Sequence, residues 1–134
     1  MTINKLILVN ILVREQDKSL EFYTKALGFE KRQDLVDKKT GFRWLTVAPK
    51  NQKELAIVIR KPHADEFELL TSEFDATIGK GTLWSFSTSN CEKTYEELKK
   101  KGVNFLSPPT KRDHGIEAIF EDIDGNRFSL LEIS

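Results

Sequence analysis

The feature of this sequence that most restricts its fold is an internal repeat. Residues 9–23 (VNILVREQDKSLEFY) and 84–98 (WSFSTSNCEKTYEEL) both read as an alternating strand, a polar turn and an amphipathic helix, and they lie 75 positions apart. Gly28 and Gly102, each followed by an apolar residue, predict the helix ends, because glycine readily adopts the left-handed conformation that closes a helix. The chain is therefore predicted to be a tandem duplication of one module.

A second pattern follows each helix. Gly41 and Gly115, 74 positions apart, each open an apolar stretch. Polar turns and apolar strands then follow in both copies, at 50–53 and 55–59 in the first and at 124–127 and 128–133 in the second. Polar turns between apolar runs indicate hairpins. Each module is therefore predicted to have the order β-α-β-β-β.

Two such modules predict an α+β fold with a curved eight-stranded mixed sheet around a central cavity. The expected organisation is a single domain over residues 1–134, with repeats at about 5–60 and 81–134 joined by a connection at 61–80. That connection is predicted to carry a short helix around Asp65–Phe74. Helices cover only one face of a sheet, so the other faces of the two modules are expected to enclose a small-molecule cavity.

Composition excludes several classes of function. The 21 basic and 21 acidic residues balance, whereas a nucleic-acid binder usually carries a basic surplus. No apolar run approaches the ~20 residues that span a bilayer, and the first residues do not resemble a signal peptide. The single cysteine, Cys91, has no partner for an internal disulfide. These features predict a cytoplasmic protein that binds neither nucleic acid nor membrane.

Several of these residues match a known family. Residues 18–23 (KSLEFY) with 27–29 (LGF) resemble the "kSleFY…LGF" helix of the vicinal oxygen chelate superfamily, which includes glyoxalase, bleomycin-resistance and dioxygenase relatives. Residues 122–126 (DIDGN) resemble its "DPDGN" hairpin, with Ile123 at the usual proline, and 42–49 (FRWLTVAP) resemble a stretch common in bacterial members. The resemblance implies the glyoxalase/bleomycin-resistance fold, a homodimer, and a metal held by four side chains on four cavity-facing strands.

The resemblance also locates those four metal positions. They fall on Leu8, Leu83, Ser129 and either Ala56 or, if the turn is counted differently, Val58. Leucine, alanine and valine offer no lone pairs, and a serine hydroxyl is a poor lone ligand for zinc and similar metals. The sequence therefore predicts no metal site and no cofactor.

The remaining residues with reactive side chains are predicted to be structural. His63 and His114 are expected to be solvated loop residues, and Cys91 is expected to be a buried helix residue rather than a nucleophile. Asp122 and Asp124 are expected to shape the second hairpin turn. No catalytic residue is identified.

Strand alternation, fixed by Leu8 and Leu83 facing inward, predicts which residues line the cavity. The predicted ligand pocket consists of Leu8, Asn10, Leu12, Trp44, Thr46, Ala56, Leu83, Ser85, Phe120, Arg127 and Ser129. Apolar walls with sparse polar groups suit a small organic ligand. The alternative is that Trp44 and Phe120 fill the space themselves. Arg43 is expected to face solvent or form an ion pair.

The sequence leaves more than one function open. The first is a metal-independent small-molecule-binding protein of the glyoxalase/bleomycin-resistance type, acting as a homodimer. The second is a metal-dependent enzyme of the same superfamily, a lyase, isomerase or dioxygenase, whose metal site has been displaced. A third is a structural or protein-binding module with a filled pocket. Fold alone does not choose among them.

Overall fold

The computed structural model describes residues 5–61 and 83–133 and shows the predicted α+β fold with two tandem β-α-β-β-β modules. The first module contains β1 (Leu8–Leu12), α1 (Gln16–Glu21), β2 (Glu30–Val36), β3 (Arg43–Ala48) and β4 (Ala56–Arg60). The second contains β5 (Trp84–Ser87), α2 (Cys91–Lys100), β6 (Asn104–Arg112), β7 (Gly115–Glu121) and β8 (Arg127–Ile133). The predicted connection and its short helix lie outside the described residues, apart from Lys61.

The eight strands form two four-stranded mixed sheets of identical topology. Their strand orders are β1-β4-β3-β2 and β5-β8-β7-β6. In each sheet the first strand of the module pairs in parallel with the last, and the other pairings are antiparallel. The chain divides into two compact units, residues 1–78 and 79–134, and each unit contains one sheet.

Both helices end at the predicted glycines. α1 continues as a π-helical turn over Phe22–Ala26, in which the Leu27 N–H donates to the Phe22 carbonyl oxygen at 3.2 Å. Gly28 follows with φ 76°. The N-terminus of α2 is capped by Asn90, whose side-chain oxygen accepts a 3.0 Å hydrogen bond from the Lys93 N–H. Within residues 5–61 and 83–133, no helix is long and apolar enough to cross a membrane.

Each unit buries an apolar core between its helix and one face of its sheet. The fully or nearly fully buried apolar residues of the first unit include Ile11, Val13, Tyr23, Leu45, Val47, Ile57 and Ile59. Those of the second unit include Cys91, Val103, Ala118, Phe120, Phe128 and Leu130. Burying each large apolar side chain stabilises the fold by about 1.5–3 kcal/mol, so these two sets are the main source of stability.

Hydrogen-bonded pairing between strands fixes which positions correspond in the two modules. A row of paired residues runs Asn10–Val58–Thr46 in the first sheet and Ser85–Ser129–Ile119 in the second. Val58 is therefore the counterpart of Ser129. The assignment of that position to Ala56 is wrong, and the other count of the turn is correct.

The same rows correct the predicted position of Phe120. Phe120 pairs directly with Phe128, their ring centroids are 5.5 Å apart, and Phe120 is buried on the face that α2 covers. Ala118 pairs with Leu130 on that same face. The counterpart of Thr46 is Ile119, 73 positions further on. The prediction for Phe120 used the spacing of 74 between Gly41 and Gly115 instead. A shift of one residue moves every side chain of a strand to the other face.

The turn between β7 and β8 is organised by Asp122, as predicted. Its Oδ1 accepts hydrogen bonds from the backbone N–H groups of Asp124 (2.9 Å) and Asn126 (2.8 Å), and its Oδ2 accepts one from the Asn126 side chain (2.9 Å). Asp122 and Asn126 are both buried. The carboxylate thus satisfies polar groups that the turn would otherwise bury unpaired.

Candidate ligand-binding faces

The sheet face opposite the helix of the same module, here called the helix-distal face, is the candidate binding surface of each unit. In the first sheet, register and alternation place six predicted pocket residues on this face: Leu8, Asn10, Leu12, Trp44, Thr46 and Ala56. The other face lies under α1, where the Gln16 side-chain amide donates to the Ile59 carbonyl oxygen at 3.0 Å. That these six residues line a ligand pocket stays a prediction.

Aromatic and cationic side chains meet at one end of this face. The guanidinium carbon of Arg60 lies over the rings of Phe42 and Trp44, 5.1 Å and 5.8 Å from their centroids. The Trp44 indole N–H donates a 2.8 Å hydrogen bond to the Gln33 side-chain oxygen. Gln33, Phe42, Trp44 and Arg60 are called the Arg60 cluster below. The sequence prediction identified Trp44 but missed the other three, because two of them lie on neighbouring strands.

Thr46 has a structural partner on the same face. Its hydroxyl oxygen accepts a 3.1 Å hydrogen bond from the Gln33 backbone N–H, beside a register shift between β2 and β3. The Thr46 side chain is almost completely buried. The hydroxyl therefore supports the irregular pairing of an edge strand, and we assign it no further role.

The helix-distal face of the second sheet carries Ser85 and Ser129, which pair directly between β5 and β8. Ser85 is exposed and Ser129 is buried. Arg127 lies two residues before Ser129 and is exposed, and Leu83 immediately precedes β5 with 63% of its surface exposed. The face is thus more polar than that of the first sheet.

Glu117 is the functional candidate on this face that the sequence prediction missed. Its Oε2 accepts a 2.6 Å hydrogen bond from the Ser129 hydroxyl, and its Oε1 lies 3.8 Å from His114 Nε2. Glu117 is two residues before Ile119, as Trp44 is two before Thr46, so Glu117 and Trp44 occupy corresponding positions. The signal in the sequence was an acidic residue in an apolar strand, and the one-residue error in register concealed it.

Of the two histidines, His114 lies within the described residues and His63 does not. His114 is largely exposed in the turn between β6 and β7, as the sequence predicted. His63 lies outside the described residues.

The metal-binding positions implied by the family do not fit a divalent cation. Leu8, Val58 and Leu83 have no lone pairs, and the Ser129 hydroxyl is already hydrogen-bonded to Glu117. Within residues 5–61 and 83–133, no three His, Cys, Asp or Glu side chains come together as a possible metal site. These four side chains therefore do not supply the ligands that a divalent cation needs.

Arg43 forms an ion-pair network on the helix-covered side. Its Nε and Nη2 donate to the two carboxylate oxygens of Asp34, at 2.8 Å and 2.9 Å, and its Nη1 donates to Asp17 of α1 at 2.7 Å. The hydrogen bonds from Arg43 lower the pKa of Asp34, and the two carboxylates raise the pKa of Arg43. Arg43 therefore ties α1 to the sheet, in agreement with the ion-pair role expected for it.

Cys91 is buried at the start of α2, as predicted. Its backbone N–H donates to Glu132 Oε1 at 2.7 Å, and its Sγ lies 3.6 Å from the Leu130 carbonyl oxygen. Burial, with smaller contributions from nearby carboxylates, raises the pKa of the thiol. A raised pKa reduces the thiolate fraction, which is the nucleophilic form.

Comparison with known proteins agrees with this fold. The family model described as the glyoxalase/bleomycin resistance protein/dioxygenase superfamily matches residues 5–130. The chain is 34% identical to the uncharacterized protein YurT of Bacillus subtilis (strain 168), over 96% of this chain and 98% of YurT. The crystal structure of UcmS2 is 40% identical, with a TM-score of 0.85 over 98% of this chain and 99% of that one.

A second solved structure carries a functional description. It is TnmS3 from Streptomyces sp. CB03234, described as an antibiotic binding protein. TnmS3 is 27% identical to this chain, with a TM-score of 0.78 and coverage of 100% of this chain and 99% of TnmS3. The chain belongs to the glyoxalase/bleomycin resistance protein/dioxygenase superfamily.

Proposed function

We propose that this protein binds a small organic ligand without a metal ion. The observation that carries the proposal is the side-chain chemistry at the four metal positions of the superfamily. Leu8, Val58 and Leu83 cannot donate lone pairs, and the Ser129 hydroxyl is engaged with Glu117. Without a cation, the polarisation of substrate oxygens that metal-dependent members use has no source at these positions.

The helix-distal face of the first sheet supports ligand binding. It combines the aromatic ring of Trp44 and apolar side chains with a few polar groups, including Asn10 and Arg60. Small-molecule sites usually have this composition, because apolar area supplies affinity and a few polar groups orient the ligand. The description of TnmS3 as an antibiotic binding protein supports the same class of function.

The proposal includes where the protein is located, how it assembles and where it binds its ligand. We expect a cytoplasmic homodimer in which the ligand occupies the cavity of the paired modules, as the sequence predicted. Light scattering coupled to size-exclusion chromatography measures the assembly directly, and a mass of a single 15.4 kDa chain would contradict it.

The test uses the two tryptophans of the chain. Trp44 lies on the helix-distal face, whereas Trp84 packs on Phe128, with ring centroids 6.0 Å apart. Purified protein is first screened by thermal denaturation against a panel of antibiotics that includes bleomycin. A ligand at about 100 times its Kd stabilises the fold by about 2.7 kcal/mol, which raises Tm measurably.

Ligands that raise Tm are then titrated while tryptophan fluorescence is recorded. We expect the fluorescence change to persist in the Trp84→Phe variant and to disappear in the Trp44→Phe variant. A change that depends on Trp84 alone, or a panel without any stabilising ligand, contradicts the proposed binding face.

Metal analysis separates the proposal from its alternative. We expect less than stoichiometric Zn, Ni, Mn or Fe in purified protein, and the same ligand affinity with and without EDTA. A stoichiometric metal, or binding that EDTA abolishes, supports the metal-dependent enzyme with a displaced site instead.

A further inference from the structure

Glu117 places a carboxylate on the helix-distal face of the second sheet, within strand β7. The side chain is 23% exposed. The residues paired with it are Leu131 on β8 and Thr110 on β6, and Ile119, two residues further along β7, is partly exposed on the same face. Moving a carboxylate from water into such surroundings costs free energy unless polar partners compensate it. The partners of Glu117 therefore decide what this carboxylate can do.

One oxygen of this carboxylate is hydrogen-bonded and the other is not. The Ser129 hydroxyl donates to Oε2 at 2.6 Å, which fixes the orientation of the carboxylate. Within residues 5–61 and 83–133, the one basic side chain within 4.0 Å of Oε1 is His114, whose Nε2 lies 3.8 Å away. That distance is too long for a hydrogen bond. An ionised carboxylate accepts up to about four hydrogen bonds, so Oε1 can accept one from a ligand.

The first module shows that the fold does not require the Glu117–Ser129 pair. The corresponding positions hold Trp44 of the Arg60 cluster and Val58. The same backbone is thus built there with an aromatic and an aliphatic side chain. Replacing a buried ionic or polar pair with apolar residues is often neutral or stabilising, so stability does not account for a carboxylate at this position. Recognition of a charged ligand group does account for it.

We infer that Glu117 binds a cationic nitrogen group of the ligand, such as an amidinium or an ammonium group. This inference rests on the proposed function, since it names the class of ligand that the protein binds. A cationic N–H of the ligand donates to Oε1, and such a charge-assisted hydrogen bond is roughly twice as strong as one between neutral groups. The partly exposed side chains of Ile119 and Leu131 contact the hydrocarbon part of the ligand beside that group.

The experiment compares 2-naphthamidine with 2-naphthamide by NMR titration of isotope-labelled protein. The two probes have the same ring system and nearly the same shape, and they differ by one positive charge at neutral pH. We expect 2-naphthamidine to bind at least about tenfold more tightly, which is a typical effect of one charge-assisted hydrogen bond. Its largest backbone amide shifts are expected at residues 115–119 of β7 and 129–131 of β8. Shifts confined to the first unit would contradict a site at Glu117.

Variants then assign the preference to the Glu117 carboxylate. Glu117→Gln removes the charge and keeps a carbonyl acceptor for Ser129, and it is expected to reduce the preference for 2-naphthamidine to less than about threefold. Glu121→Gln is the matched control. It removes the same charge on the same strand, where the carboxylate accepts a 2.7 Å hydrogen bond from Asn104, and the preference is expected to persist. Thermal unfolding verifies that each variant is folded, and the shifts on the unmodified chain decide if Glu117→Gln is not.

The outcomes separate this inference from the proposed function. Equal affinity for the two probes, or a preference that persists in Glu117→Gln, overturns the inference and leaves small-molecule binding in place. If neither probe binds while an antibiotic of the panel does, the cationic ligand class is wrong and the proposed function stands. If no probe and no antibiotic binds, both are overturned.

Discussion

The Ser129 hydroxyl donates a 2.6 Å hydrogen bond to Glu117 Oε2, at a position where the family resemblance implies a metal ligand. Ser129 is 1% exposed, so its hydroxyl depends on this acceptor. Glu117→Ala is expected to destabilise the protein by about 1–3 kcal/mol, because it leaves a buried donor unpaired. Glu117→Gln retains a carbonyl acceptor and is expected to cost less. Urea denaturation measures both.

The matched control for that prediction is Glu97→Ala, an exposed position on α2. It removes the same side chain where no buried donor depends on it, and a change within about 0.5 kcal/mol is expected. Equal losses at Glu97 and Glu117 would show that the hydrogen bond to Ser129 is not responsible.

The Asp34–Arg43 pair predicts a pH-dependent contribution to stability. Arg43 lowers the pKa of Asp34 in the folded state. The contribution is therefore fully present above the unfolded pKa of about 3.9 and is lost as the pH falls through the folded pKa. At pH 7, Asp34→Asn is expected to lower the free energy of unfolding by about 1–3 kcal/mol.

Urea denaturation measures this loss at pH 7, and the same denaturation near pH 3 is the internal control for Asp34→Asn. The difference between Asp34→Asn and the unmodified chain is expected to be smaller there than at pH 7, because the pH is then below the unfolded pKa of about 3.9 and closer to the lowered pKa of folded Asp34. A difference that is independent of pH would assign the loss to packing rather than to the ion pair with Arg43.

Gly115 is predicted to tolerate no side chain. Its φ is 145°, and a Cβ there would overlap the Glu132 backbone carbonyl oxygen, with the carbonyl carbon 3.0 Å away. Both atoms belong to the paired strand β8 and cannot move without breaking the sheet. Gly115→Ala is expected to destabilise the second unit by more than about 1 kcal/mol.

Gly28 provides the comparison for Gly115. It also has a positive φ, of 76°, but a Cβ there meets nothing within 4 Å. Gly28→Ala is therefore expected to cost only the conformational strain, about 1 kcal/mol. Thermal unfolding of the two variants shows which substitution lowers stability more. A larger loss of stability for Gly28→Ala than for Gly115→Ala would contradict the close contact inferred at Gly115.

The Cys91 thiol is predicted to react slowly. It is buried, and burial raises its pKa. The native protein is expected to react with Ellman's reagent at pH 8 at least about tenfold more slowly than the urea-unfolded protein, because both access and thiolate fraction are reduced. Equal rates in the two states would contradict the buried position.

Much of the fold was predictable because short-range signals were strong. Gly28 and Gly102 gave the helix ends, and Asp122 with Gly125 gave the second hairpin turn. The bounds of β2 and β6 were not predicted. Both are edge strands with irregular pairing, and β6 contains Pro108 and Pro109, so neither has regular alternation.

The candidate site was less predictable because it depends on register across strands. The repeat gave the face of the first sheet, yet a single-residue difference in spacing placed Phe120 on the wrong face and concealed Glu117. Arg60 could not be linked to Phe42 and Trp44 from the sequence, because β3 and β4 bring them together only through pairing. Such contacts can be predicted only when the hydrogen-bonding register between the strands is known.

The difference in spacing between the two copies has a consequence for how duplicated sheets diverge. Thr46 and Ile119 correspond at 73 positions, whereas Asn10 and Ser85 correspond at 75. A point substitution changes one side chain of a surface. Here the spacing changed by two residues between Asn10 and Thr46, yet the paired rows still correspond position by position. Each copy can therefore gain or lose residues outside its paired rows and keep the same two faces, and a new recognition surface arises through substitutions within those rows.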